Sequence, residues 1–173
     1  GAGRARDAAA RRAALDAWEE ALDAGRRAGG SDHPVIAALV DAAARHGLAL
    51  DELRAYMASM RIDCGPVRFA TDAELDRYMD GSAAAVGRLL APLLGAREPE
   101  AVGRLGVAFQ LVNLVRDVRE DWALDRVYLP GVPERDLARG RAGGATREAV
   151  AHQAGRARAL FAATAGVPDR CDR

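Results

Sequence analysis

Four polar side chains recur at helical spacing in the segment from Gly106 to Pro130. On a helix of about 100° per residue they fall within an arc of roughly 80°: Gln110, Asn113, Asp117 and Asp121. The opposite side is apolar, which is typical of a helix that packs against neighbours. The two carboxylates, four residues apart, project side by side. They suit Mg²⁺, a hard cation that keeps some of its waters and takes further oxygens from phosphate groups.

A solvated helix face is the alternative interpretation of this stripe. Such faces usually carry Lys and Glu, which favour helix and tolerate water. Here the stripe consists of Gln, Asn and two Asp. Because Asn and Asp compete with the backbone for hydrogen bonds inside a helix, their clustering indicates that their oxygens have another role.

Three segments carry a resemblance to a known family. The sequence NLVRDVREDWALDRVYLP, residues 113–130, resembles the second aspartate-rich motif of the squalene/phytoene synthase family, and it is more similar to bacterial phytoene synthases than to squalene synthases. SMRIDCGPVR (59–68) and YMDGSAAAVGRLLAPLLG (78–95) resemble the same family in the same order. The resemblance extends from about Arg11 to Ala165. Three linked segments are more specific than a single DxxxD pattern.

The resemblance implies an all-α fold, an isoprenoid synthase-type helical bundle that is partial here and contains about six helices. It implies a Mg²⁺-dependent prenyltransferase that joins two geranylgeranyl diphosphates head to head into phytoene through a cyclopropyl diphosphate. Mn²⁺ is the alternative metal, and no nicotinamide cofactor is expected. Two other functions stay open: a squalene or dehydrosqualene synthase that uses farnesyl diphosphate, and a non-catalytic helical module that binds diphosphate or a partner subunit.

The family resemblance also assigns roles to residues around the polar stripe. Asp117 and Asp121 would hold the metal ion, and Asn113 would add an oxygen. Gln110 would contact diphosphate or water. Arg126 would meet diphosphate as a charge-assisted donor, whereas Arg116 would either pair with Glu120 or turn to a phosphate.

Two tyrosines are the remaining catalytic candidates that the resemblance implies. Tyr78 would lie near the reacting carbons, in the prenyl cavity. Tyr128 would offer its hydroxyl to the leaving group or its ring to a carbocation. Asp63, which precedes the Gly65-Pro66 breaker, would support the site from behind these groups.

A capping box from Thr71 to Glu74 predicts the start of a helix that reaches about Leu90. This helix contains Gly81 and Gly87, each of which costs about 1 kcal/mol relative to Ala. From the residues alone, close helix packing and local unwinding beside a ligand explain the glycines equally well. In the family this segment breaks and lines the prenyl cavity, so the resemblance places both glycines beside the substrate.

The other helices follow from apolar periodicity and from helix start and stop signals. Gly29-Gly30 ends the first helix, Ser31 or Asp32 caps the second, Gly47 ends it, and Thr146 caps the last. The predicted helices lie at about 6–27, 34–46, 51–63, 71–90, 99–121 and 147–165.

Composition limits the remaining function classes. The chain has 173 residues, with 25 Lys plus Arg and 25 Asp plus Glu, which predicts one domain and no nucleic-acid partner. The cysteines and histidines lie apart, which favours free thiols and isolated histidines over a metal site. There is no apolar run of ~20 residues and no signal peptide. We expect a cytoplasmic protein, and a peripheral membrane contact stays compatible with the zero charge.

The chain departs from the family pattern at its start. The family carries a first aspartate-rich motif upstream of the first helix, but Asp7 stands alone there. The acidic residues of the first helix are interpreted as a salt-bridged, solvated face beside neighbouring arginines: Asp16, Glu19, Glu20 and Asp23. We therefore expect a single partial domain over residues 1–173, truncated at both ends, inactive alone and frayed at 1–5 and 167–173. The oligomeric state stays open.

Overall fold

The computed structural model describes residues 2–171, which fold mainly into helices and confirm the all-α prediction. No helix within this range is long and apolar enough to cross a membrane. The helices are α1 (Ala2–Ala28), α2 (Pro34–His46), α3 (Glu52–Ile62), α4 (Asp72–Met79), α5 (Ala85–Leu90), α6 (Pro99–Arg116), α7 (Val118–Ala123), α8 (Glu134–Ala138) and α9 (Gly144–Thr164).

The chain ends were predicted to be frayed. Residues 2–5 belong to α1, and Pro168–Arg170 form a 3₁₀ turn. The predictions for Gly1, Asp172 and Arg173 lie outside the described residues.

Two short strands, which the sequence did not predict, pair in parallel. Strand β1 is Val67–Arg68 and strand β2 is Arg126–Val127, with Val67 opposite Arg126. The Val67 amide donates to the Asp125 carbonyl at 3.2 Å, and the Phe69 amide donates to the Val127 carbonyl at 3.2 Å. The segment after α7 is therefore fixed beside the end of α3 instead of being a free loop.

Helix boundaries follow most of the predicted signals. Thr71 and Glu74 form the predicted capping box at the start of α4. Gly47 ends α2 in the left-handed region, with φ of 69°, where glycine has no steric penalty. The predicted cap at Thr146 is wrong: Gly143 precedes the first turn of α9, and the Thr146 hydroxyl instead donates to Asp136 at 2.6 Å.

The helix predicted from residue 71 to about 90 is interrupted at its middle. A π-helical turn, Asp80–Ala84, separates α4 from α5. A Cβ at Gly81 would collide with the Ser59 hydroxyl of α3, and a Cβ at Gly87 would lie 2.6 Å from the Val102 carbonyl of α6. Close packing of α3 and α6 against this segment therefore requires both glycines.

Helix α9 packs along α6 and also holds α4. The Gln153 side chain is fully buried and donates to Asp72 at 2.7 Å, while His152 lies 2.7 Å from the second oxygen of the same carboxylate. Arg156 forms an ion pair with Asp76. These contacts fix the helix that carries Tyr78.

The acidic face of α1 is salt-bridged, as predicted, but its main partners lie on α3. Arg61 binds Asp16 and Glu19, at 2.7 and 2.5 Å. Arg54 binds Asp23 at 2.7 Å. The face therefore joins two helices and offers no open carboxylate cluster.

Candidate active site

The polar stripe does not lie on one uninterrupted helix. Helix α6 ends at Arg116, and Asp117 adopts φ of −98° and ψ of 14° before α7 begins. The Asp117 amide still donates to the Asn113 carbonyl at 2.8 Å, and the Asp121 amide donates to the Asp117 carbonyl at 2.8 Å. The predicted continuous helix is thus broken at Asp117, the first aspartate of the motif.

Asp117 is bound by its sequence neighbour. The Arg116 guanidinium donates to both carboxylate oxygens, at 2.6 and 2.7 Å. The pairing with Glu120, one of the two alternatives left open for Arg116, is not formed. The hydrogen bond from Arg116 lowers the pKa of Asp117 below its usual value. Because the Arg116 side chain is 67% exposed, solvent screens the pair, and a cation or phosphate can replace it.

Asp121 is half-buried, and its environment disfavours the ionised carboxylate. Burial raises its pKa from 3.8 to about 6, Arg126 opposes this rise, and the charge of Asp117 adds to it. A carboxylate with a raised pKa beside a second carboxylate gains from a cation. The two aspartates therefore form a locus where a divalent ion would be stabilised.

Arg126 of β2 contributes a charge to the same place. It lines a small cavity of about 10 Å³ together with Asp121 and Tyr128. Its Nη2 donates to the Asp63 carbonyl at 2.7 Å. Its Nε is buried, and no group within residues 2–171 accepts a hydrogen bond from it. Since buried donors are normally paired, this nitrogen is suited to an anionic ligand.

Both candidate tyrosines converge on Asp63. The Tyr78 hydroxyl donates to Oδ2 at 2.8 Å, and the Tyr128 hydroxyl donates to Oδ1 at 2.6 Å. Their rings stack with centroids 5.1 Å apart, and Phe69 packs against both rings, with centroids 5.5 and 5.9 Å away. Burial raises the pKa of both hydroxyls, and the Asp63 carboxylate adds to the rise. Both phenols therefore stay neutral at physiological pH.

Gln110 and Asn113 line a different feature, a groove of about 370 Å³ between α5 and α6. Gly87 and Phe109 also line it, and the Phe109 side chain is 57% exposed. The buried Ser82 hydroxyl in its wall has no hydrogen-bond partner within the described chain. The groove is thus apolar with three polar positions, which suits a chain-like apolar ligand with a polar end.

The structure therefore brings together one subset of the predicted residues and leaves another apart. Asp121, Arg126, Tyr128 and Tyr78 are linked through Asp63 and a shared cavity. Gln110, Asn113 and Gly87 line the groove, and Gly81 lines a wider cleft of about 620 Å³ beside Tyr78.

The donor set tests whether a metal ion fits. Two carboxylates supply hard oxygens of the kind Mg²⁺ prefers. Over residues 2–171, however, no three His, Cys, Asp or Glu side chains are gathered closely enough to bind a metal ion. The site fits an ion that takes its other ligands from water and phosphate.

Two residues with contacts in this region were not singled out from the sequence. Ser59, buried on α3, donates to the Tyr78 carbonyl at 3.0 Å, a group next to the π-helical turn. The sequence feature that could have indicated Ser59 is its place as a polar residue beside the apolar stripe of α3. Phe69 follows β1, and nothing in its local pattern indicated that it would meet two tyrosines.

Comparisons with known proteins identify the family of the chain. The family model described as "Squalene/phytoene synthase" matches residues 2–173. A phytoene synthase of Thermus thermophilus is 48% identical over 108 residues, which are 57% of this chain and 37% of the relative. A phytoene synthase of Arthrospira platensis is 34% identical over 171 residues, 85% of this chain and 55% of the relative.

Two solved structures share the fold. A squalene synthase from Alicyclobacillus acidocaldarius is 30% identical with a TM-score of 0.81, covering 91% of this chain and 65% of the other. A dehydrosqualene synthase in complex with ligand is 23% identical with a TM-score of 0.85, covering 99% and 66%. The chain thus spans less than two thirds of each of these four relatives. By sequence match and by fold, it belongs to the squalene/phytoene synthase family.

Proposed function

We propose that this chain carries the second aspartate-rich half of a Mg²⁺-dependent prenyltransferase site that condenses two geranylgeranyl diphosphates head to head into phytoene. The observation that supports the proposal is the proximity of Asp121 and Arg126 in one small cavity: a carboxylate of raised pKa lies near a buried guanidinium nitrogen that has no hydrogen-bond partner among residues 2–171. This combination is suited to a cation and a phosphate bound together.

Different residues of the chain would bind the metal ion and the phosphate during ionisation of an allylic diphosphate. Asp121 and, after release of Arg116, Asp117 would hold Mg²⁺, or Mn²⁺, which supplies charge neutralisation to the departing diphosphate. Arg126 would donate Nε to a phosphate oxygen and hold the diphosphate in place. Because the nitrogen is already buried, this interaction is strengthened by the low local polarity.

The groove would hold the prenyl chain. Its apolar wall would contact the prenyl chain, and Gln110 and Asn113 add oxygen and nitrogen atoms to its lining. Asn113 is three residues before the end of α6 and four before Asp117, so it would serve the metal or the diphosphate from the groove side. The exposed Leu90, Leu93 and Leu94 make this side compatible with a peripheral membrane contact.

Support for geranylgeranyl diphosphate as the substrate comes from the relatives named phytoene synthase. A presqualene diphosphate synthase of Zymomonas mobilis is 39% identical over 132 residues, which are 71% of this chain and 43% of the relative. Farnesyl diphosphate is therefore the alternative substrate.

Turnover is not expected from this polypeptide alone. The substrate brings about three negative charges, and the described residues offer one carboxylate pair and no further acidic cluster to hold more metal. With few cations to offset the diphosphate, ionisation would lose its main stabilisation. The chain would then act as a diphosphate-binding half-site.

Product analysis tests the proposal. The chain as it is, and the chain extended upstream by a first aspartate-rich motif, are incubated with Mg²⁺ and either prenyl diphosphate. We expect phytoene from geranylgeranyl diphosphate with the extended chain only. Squalene-type products from farnesyl diphosphate as the main activity would favour the alternative, and phytoene from the chain alone would refute the half-site.

Variants of the extended chain separate metal binding from folding. Asp117→Asn and Asp121→Asn each remove one anionic ligand but keep the size of the side chain. We expect both to lose prenyl diphosphate consumption, while circular dichroism shows intact helices. Near-normal turnover in either variant would contradict its metal role.

A further inference from the structure

Asp63 lies where three elements of the site meet. It follows the last residue of α3, and each of its carboxylate oxygens accepts a different tyrosine hydroxyl: Tyr78 from α4 and Tyr128 from the end of β2. Its backbone carbonyl accepts Nη2 of Arg126 at 2.7 Å. One residue therefore ties α3, α4 and β2 together through groups that the sequence separates by 15 and 65 positions.

The hydrogen bonds decide what the tyrosine hydroxyls can do. A phenol has one proton to donate, and both protons are committed to Asp63 at short distances of 2.8 and 2.6 Å. Charge-assisted bonds of this kind are about twice as strong as neutral ones. Neither hydroxyl is therefore a free donor for a leaving group.

The rings, in contrast, are fixed as a pair. They stack at 5.1 Å with planes 29° apart, and Phe69 braces both. A phenol that donates to a carboxylate gains electron density in its ring, which strengthens the attraction of the ring for a cation. Both side chains are 4% exposed, and Tyr78 lines the cleft of about 620 Å³, so a ligand would meet the pair from that side.

We infer that Asp63 is a positioning residue: it holds Tyr78 and Tyr128 as one unit, with both hydroxyls turned to its carboxylate and the two rings stacked on each other. The use of the rings for a carbocation rests on the proposed function, whereas the positioning itself does not. Asp63 would act through the tyrosines without touching substrate.

A vibrational signature tests the positioning on the chain as it exists. Ultraviolet resonance Raman spectra contain a tyrosine doublet whose intensity ratio reports whether the hydroxyl donates to an anionic acceptor. The chain has three tyrosines, and single Tyr→Phe variants assign the signals, with Tyr56 as the internal reference. In Asp63→Asn we expect the signals of Tyr78 and Tyr128 to change together and that of Tyr56 to stay. Unchanged signals, or a change in only one tyrosine, would overturn the inference.

A double-mutant cycle supplies a second readout. Asp63→Asn should raise the unfolding equilibrium constant about tenfold or more, because two charge-assisted bonds are weakened. In the background Tyr78→Phe/Tyr128→Phe, the same substitution should have no such effect, since the carboxylate has lost its donors. An equal effect in both backgrounds would show a role that does not pass through the tyrosines. Asp41→Asn, which removes the exposed partner of Arg45 on α2, is the matched control and should change the constant less than threefold.

Failure to fold does not remove the test. If Asp63→Asn does not fold, Tyr128→Phe keeps Asp63 and must still show the donor signature for Tyr78, and Tyr78→Phe must show it for Tyr128. Loss of either signature would contradict the shared acceptor. Failure of the proposed function would appear separately, as no Mg²⁺-dependent consumption of prenyl diphosphate by the extended wild-type chain.

Discussion

Asp121→Asn should stabilise the chain at neutral pH, although it removes a proposed metal ligand. Burial raises the Asp121 pKa from 3.8 to about 6, so the folded state holds this proton more tightly than the unfolded state. Two pKa units correspond to about 3 kcal/mol, and screening of this partly exposed group reduces the figure to about 1 to 2 kcal/mol. The asparagine avoids this cost because it carries no charge.

The pH dependence gives the sign of the effect. Because the pKa of Asp121 is higher in the folded state than in the unfolded state, its protonation stabilises the fold. This contribution of Asp121 to stability is fully present below pH 3.8 and is lost as the pH rises through about 6. The free energy of unfolding of Asp121→Asn should therefore exceed that of the wild type by about 1 to 2 kcal/mol at pH 7.5. The difference should shrink towards zero near pH 4.

Urea denaturation of both proteins between pH 4 and 7.5 measures this difference. Asp117→Asn is the matched control, because Arg116 lowers the Asp117 pKa and the substitution should change stability in the opposite direction. Saturating Mg²⁺ should narrow the gap between wild type and Asp121→Asn, since the ion stabilises the ionised carboxylate. A pH-independent gap, or a less stable Asp121→Asn at pH 7.5, would refute the reasoning.

Three further substitutions, two of them with a matched control, test packing and charge. Ser59→Ala removes the hydroxyl that donates to the Tyr78 carbonyl and should lower the free energy of unfolding by about 1 kcal/mol. Ser82→Ala, whose hydroxyl has no partner within the described chain, should leave it nearly unchanged. Equal losses of stability in urea denaturation would contradict this. Gly87→Ala places a Cβ 2.6 Å from the Val102 carbonyl and should lower the free energy of unfolding by about 1 to 3 kcal/mol. Gly155→Ala, whose Cβ lies in open space, should raise it by about 0.5 to 1 kcal/mol. A stabilised Gly87→Ala would show that α5 and α6 can move apart. Arg126→Gln should weaken diphosphate binding about tenfold, measured by calorimetry, and unchanged affinity would remove Arg126 from the site.

Helix boundaries that depend on neighbouring residues could be predicted from the sequence. The capping box at Thr71 and Glu74 and the left-handed stop at Gly47 depend on neighbours a few residues away, and both are present. The six predicted helices all appear within residues 2–171, with two of them divided. The polar stripe with Asp117 and Asp121 was predicted from helical spacing, and the roles of the other site residues came from the family resemblance.

Contacts between distant residues were beyond local rules. The helix cap at Thr146 failed because Asp136, ten residues earlier, accepts its hydroxyl. The pairing of Arg116 with Glu120, one of the two alternatives left open, is not formed, because Arg116 binds the nearer carboxylate of Asp117, where α6 ends. The convergence on Asp63 required the pairing of β1 with β2, which two-residue strands do not signal in sequence.

Mg²⁺-dependent binding of inorganic diphosphate is the most direct test of whether Asp117, Asp121 and Arg126 form a diphosphate site. Isothermal titration calorimetry of the chain should show saturable diphosphate binding with Mg²⁺ and none without it, because two carboxylates repel the bare anion. Asp121→Asn should weaken this binding about tenfold, and Asp41→Asn, far from the site on α2, should leave it unchanged. Binding that needs no metal, or that survives Asp121→Asn undiminished, would contradict the assignment of Asp121 to the diphosphate site.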